Sequence, residues 1–78
     1  MYLNKNLKYL RNSKLLSYRQ LGKLTGVNFS RIRKLETEEH SNPKLDTLKK
    51  LADYFGITID ELIYKDLSKN VPVTGTNR

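Results

Sequence analysis

The chain has no cysteine, no tryptophan, one methionine and one histidine among its 78 residues. Without a thiol there is neither a disulfide framework nor a thiolate metal site to staple a small domain. His40 has no second imidazole with which to share a metal, and reads as a solvated loop residue. Long apolar runs are missing too: none exceeds three residues, as in Leu62-Ile63-Tyr64. That excludes a transmembrane helix and the apolar stretch of a secretory signal, and the expectation is a cytoplasmic chain without membrane contact. No nucleophile–base set, carboxylate pair or phosphate-cradling glycine loop can be picked out. No enzyme activity, metal or cofactor is expected.

Acid is absent from the first part of the chain. Residues 1–35 hold Lys5, Lys8, Arg11, Lys14, Arg19, Lys23, Arg31, Arg33 and Lys34 with no Asp or Glu, a charge of +9, whereas residues 36–78 hold six bases and all eight acids, a charge of −2, giving the net +7. Solubilising lysines are ordinarily interspersed with acids. A concentrated cationic half suits a polyanion, because neutralised phosphates release their condensed counterions.

The length allows a single domain, burying roughly 60–65% of the surface its unfolded form exposes. Five helical segments follow from periodicity and punctuation. Leu3, Leu7 and Leu10 form one apolar stripe over about residues 3–13. Ser17-Tyr18-Arg19-Gln20 is a capping box that opens a second helix, with Leu21 and Leu24 as its buried face and Gly26 as its stop. Asn28 caps a third helix with Ile32 and Leu35 inward and Ser30, Arg31, Arg33 and Lys34 on its other faces. Residues 37–41 read as loop. Asn42-Pro43 reads as a cap with proline at the first helical position, ahead of inward Leu45, Leu48, Leu51, Ala52 and Phe55 and a stop at Gly56. Thr58-Ile59-Asp60-Glu61 is a second capping box, opening a short helix with Ile59, Leu62, Ile63 and Leu67 inward. From Ser68 the pattern dissolves. The fold class expected is all-α, a compact five-helix bundle over residues 1–67, with residues 68–78 a flexible tail or the start of a linker.

Two short helices joined by a glycine-containing turn, the second thinly apolar and basic, fit a helix-turn-helix unit. The second helix holds the third proud of the domain, so its outer face enters a major groove about 12 Å wide. Gly22 lets the two helices approach. Leu7-Lys8-Tyr9-Leu10-Arg11, Leu16-Ser17, Leu21, Gly26-Val27, Ile32, Leu35-Glu36, Asn42-Pro43, Leu45, Leu48, Leu51-Ala52, Phe55-Gly56-Ile57 and Asp60-Glu61-Leu62 together resemble the Cro/CI-type (XRE-like) helix-turn-helix family of phage repressors and bacterial regulators. The resemblance covers about Leu7 to Leu67.

It implies that Asn28, Phe29 and Ser30 begin the recognition helix, with Arg33 and Lys34 one turn on, and that these residues meet base edges and nearby phosphates. Tyr18 falls where the family usually holds a phosphate-binding glutamine, and Arg19 beside it is a second phosphate candidate. Arg11 and Glu36 match a structural ion pair. Physically, Arg33 and Lys34 suit guanine O6 and N7. Phe29 either packs on a thymine methyl or turns inward, and Arg31 points sideways as a solvated charge. Lys44 is a third phosphate candidate, at a helix N-terminus. The pattern departs from the family at Gly22, usually alanine, at Tyr18, and in the acidic stretch Glu36-Thr37-Glu38-Glu39. Residues 71–76 are similar to the segment that opens the self-cleaving domain of phage repressors.

The expected function is sequence-specific double-stranded DNA binding by a transcriptional repressor or regulator, of a phage or bacterial lysogeny-type switch. The expected partner is a palindromic operator bound by a homodimer, with Tyr54, Phe55, Ile57 and Ile59 as its candidate surface, and a protein antagonist is a further partner to consider. The competing reading is a protein-interaction module, an antitoxin or small phage regulator, favoured by the acidic loop and Phe29 and opposed by the basic first 35 residues.

Overall fold

The computed structural model describes residues 2–38 and 42–69. They form α1 (Leu3–Ser13), α2 (Tyr18–Thr25), α3 (Phe29–Thr37), α4 (Leu45–Phe55) and α5 (Ile59–Tyr64), with no strand among the described residues. Glu39, His40 and, of the tail expected over residues 68–78, residues 70–78 lie outside them.

Local chemistry accounts for most boundaries. Ser17 accepts from the Gln20 backbone N–H at 3.1 Å and its own N–H donates to Gln20 Oε1 at 2.8 Å, closing the capping box. Thr58 and Glu61 do the same for α5. Gly26 and Gly56 end α2 and α4 at φ 81° and 70°, in the left-handed region where a Cβ is unfavourable. The α4 start differs from the expectation. Asn42-Pro43 precedes the helix, Lys44 takes the N-cap position without a side-chain cap bond, and Leu45 is the first helical residue. Lys44 is extended at φ −76° and ψ 151°, so the helix opens one residue beyond it and two beyond Pro43.

Leu3, Leu7, Leu21, Val27, Ile32, Leu35, Leu48, Leu51, Ala52 and Leu62 make the core. Of the other residues expected inward, Leu10, Phe55, Ile59, Ile63 and Leu67 are half-buried, while Leu24 at 54% and Leu45 at 70% are exposed. Leu45 is the first residue of α4 and Leu24 lies in the last turn of α2. Tyr54, Phe55, Ile57 and Ile59 are half-buried and packed against the core, the two rings meeting edge to face at 5.0 Å. α3 packs against both α1 and α2, while α5 lies between α1 and α4.

α5 has six residues, too few to hold a helix unaided. Asn6 ties it down. This fully buried amide on α1 donates to the Leu62 carbonyl at 2.7 Å and the Lys65 carbonyl at 2.5 Å, and accepts from the Leu67 N–H at 2.9 Å. Asn6→Ala strands those buried groups, so a loss of about 2–4 kcal/mol is expected in urea unfolding, with amide exchange in α5 accelerated ahead of α3.

The same end of the molecule carries the acid sensitivity. Hydrogen bonds from the Thr58 N–H and hydroxyl hold the Glu61 carboxyl below its ordinary value of 4.5. The Ser68 hydroxyl, then Lys5, hold Asp66 below 3.8. A depressed folded value gives stability that is present above the unfolded value and lost as pH falls through the folded one. The α5 cap and the Lys5–Asp66 pair are therefore expected to loosen as pH falls below 4.5 and then below 3.8. Exchange at residues 61–67 reads this directly.

Candidate nucleic-acid interface

Val27 is buried between Gly26 and Asn28 and anchors the turn from α2 to α3. The approach of the two helices depends on Gly22. A Cβ there would lie 2.7 Å from the Val27 carbonyl oxygen and 3.4 Å from the Phe29 nitrogen. This explains the departure from alanine: the obstacle is backbone, which cannot swing aside. Gly22→Ala gains up to about 1 kcal/mol of helix propensity but forces the turn open. A net loss of about 1–2 kcal/mol is expected in thermal unfolding.

The buried pair Ile32 and Leu35 leaves Ser30, Arg33, Lys34 and Thr37 exposed at i, i+3, i+4 and i+7 on the opposite face of α3. That spacing brings Ser30, Arg33 and Lys34 onto one stripe. Thr37 joins it, with its hydroxyl turned back onto the Arg33 carbonyl at 2.9 Å. Arg31 flanks the stripe, exposed, and lines a shallow concavity with Asn28, Ser30 and Lys34. None of the ion pairs among the described residues involves Arg19, Lys23, Arg31, Arg33 or Lys34. Exposed Glu38, the C-cap of α3, lines a second concavity with Arg31 and Lys34. It makes the C-terminal end of α3 the less cationic one.

Asn28 spends its acceptor inside the protein. Its Oδ1 accepts from the Ser30 N–H at 2.9 Å and the Ser30 hydroxyl at 2.5 Å. What Asn28 can offer a groove is its amide donor, which suits an acceptor and not the two-sided pattern of adenine. Phe29 is 41% exposed, stands outside the core, and carries the Arg19 guanidinium over its ring at 4.7 Å.

Arg11 and Glu36 lie behind this face. Nε and Nη2 of Arg11 donate to the Glu36 carboxylate at 2.6 and 3.0 Å, and Nη1 donates to the Leu16 carbonyl at 2.7 Å. The hydrogen bond to Glu36 raises the Arg11 pKa further above its already high value, despite burial acting the other way. The guanidinium sits 4.3 Å over the Tyr18 ring, so Tyr18 is half-buried and belongs as much to this cluster as to the surface. Glu36 is thus the last-turn anchor of α3 and not part of the acidic loop. Lys44 is exposed ahead of α4, whose first turn already holds Asp46, paired with Lys50 at 3.3 Å. That carboxylate offsets the helix N-terminus as an anion site.

Among the described residues no three His, Cys, Asp or Glu side chains gather as a metal site, and no helix is long and apolar enough to cross a membrane. Residues 7–62 match a family model described as Helix-turn-helix. A stretch of 61 residues, 78% of the chain, is 39% identical to an uncharacterized HTH-type transcriptional regulator of Coxiella burnetii, of which it covers 28%. Uncharacterized HTH-type transcriptional regulators of Rickettsia conorii and Rickettsia prowazekii are each 36% identical over 53 residues, 64% of the chain, which cover 49% and 58% of those proteins. The chain spans between 28% and 58% of the length of these relatives. No solved structure matches.

Proposed function

From its membership of the helix-turn-helix family, shown by the match over residues 7–62, we propose that the chain binds double-stranded DNA sequence-specifically, as the recognition unit of a transcriptional repressor or regulator of the lysogeny-switch type. The observation that carries this reading is the exposed stripe Ser30, Arg33 and Lys34 on α3, free of acid and held proud by α2. Arg33 and Lys34 read base edges, with Asn28, Phe29 and Ser30 at the start of the helix. Tyr18, Arg19 and Lys44 are assigned to phosphates, which fix register without reading sequence. A homodimer on a two-fold operator sets its recognition helices about 34 Å apart. Selection from a random duplex pool tests this. Recovery of a two-fold-related site supports it, and a pool that stays unenriched favours a protein-interaction module.

A further inference from the structure

Arg19 and Phe29 come from different helices, yet they form one unit. The guanidinium lies 4.7 Å over the ring, and both border an open groove that Gly22, Gly26, Val27 and Asn28 also line. Phe29 is not among the core residues. Phe29 is 41% exposed on the helix read as facing DNA, and with one ring face occupied by a cation it keeps its edge and its other face for contact. The stack also removes much of the freedom of a long side chain, and it holds the guanidinium fork in a fixed plane, as bidentate recognition requires. No carboxylate among the described residues competes for that fork.

A major groove offers an apolar edge only at the C5-methyl of a pyrimidine, and a planar two-acceptor edge at guanine O6 and N7. We infer that Arg19 and Phe29 together read a 5-methylpyrimidine next to a guanine, Phe29 packing on the methyl and Arg19 donating to the guanine. The inference rests on the DNA-binding reading and moves Arg19 from phosphate to base. It makes binding respond to the methyl itself, whether carried by thymine or by 5-methylcytosine.

The full chain, wild type and Phe29→Ala, is titrated on the selected duplex with each thymine replaced in turn by deoxyuridine, which loses the methyl and keeps every hydrogen-bonding group. One thymine per half-site is expected to show about three- to five-fold weaker binding of the wild type, the worth of one buried methyl, and no change with Phe29→Ala. At that position 5-methylcytosine is expected to bind more tightly than cytosine by a similar factor, again only with Phe29 present. Arg19→Lys keeps the charge and is expected to lose discrimination at the neighbouring guanine. If no thymine is methyl-sensitive, if the sensitivity survives Phe29→Ala, or if Arg19→Lys discriminates as before, the inference is overturned while DNA binding stands. A chain that selects no duplex overturns both.

Discussion

Arg11→Ala is expected to cost about 3–5 kcal/mol of folding stability, because it leaves a buried carboxylate without its partner. The Glu36 side chain is 1% exposed and the Arg11 side chain 12%. Three guanidinium nitrogens are engaged, two on Glu36 and one on the Leu16 carbonyl, and the plane rests on Tyr18. One residue therefore joins α1, the turn before α2, the first residue of α2 and the last turn of α3. For a domain of this size the loss is a large share of the total, and it should lower Tm by roughly 12–40 °C. Replacing both partners by apolar residues of similar volume, as in Arg11→Met with Glu36→Leu, is expected to recover most of it, since an ion pair gains little over good packing once its desolvation is counted. Thermal unfolding of the single and double variants checks both statements.

Arg33→Ala with Lys34→Ala is expected to weaken binding to the selected duplex by about 30- to 10⁴-fold, because two base-edge interactions disappear at about 1–3 kcal/mol each. Both side chains are exposed and unpaired among the described residues, so folding stability should stay within about 0.5 kcal/mol. The salt slope falls by about 0.9 for every phosphate that the variant no longer neutralises. Lys49→Ala with Lys50→Ala removes the same charge from α4, and is expected to change affinity far less. Arg11→Ala and the α3 pair thus separate holding the recognition helix from using it.

Where local chemistry decides a boundary, the residues alone reveal it. Ser17 and Gln20, Thr58 and Glu61, Gly26 and Gly56 act through their own or neighbouring backbone, and five helices in an all-α fold follow from them. The α1–α2 turn shows the opposite case. It is made by Leu15 at φ 56° with its side chain 90% exposed, and no glycine marks it. Asn6 gave no signal either, because an asparagine on a helix is ordinarily exposed, and its partners lie more than fifty residues away. Leu24 and Leu45 keep the helical period but fall where no neighbour covers them, a matter of helix length and placement that periodicity does not contain. At the interface, residue types pointed to α3 but not to the Arg19–Phe29 stack or the spent acceptor of Asn28, since both depend on how α2 and α3 sit together. That placement rests in turn on a missing Cβ at Gly22.

Chemical-shift mapping of the isotopically labelled chain, titrated with the selected duplex, tests most directly whether the α2–α3 face is where DNA docks. The largest perturbations are predicted at residues 18–23 and 28–34, with α4 and α5 little changed beyond Lys44. Perturbations centred on residues 48–64, with 28–34 unmoved, would contradict the account and place the binding surface elsewhere.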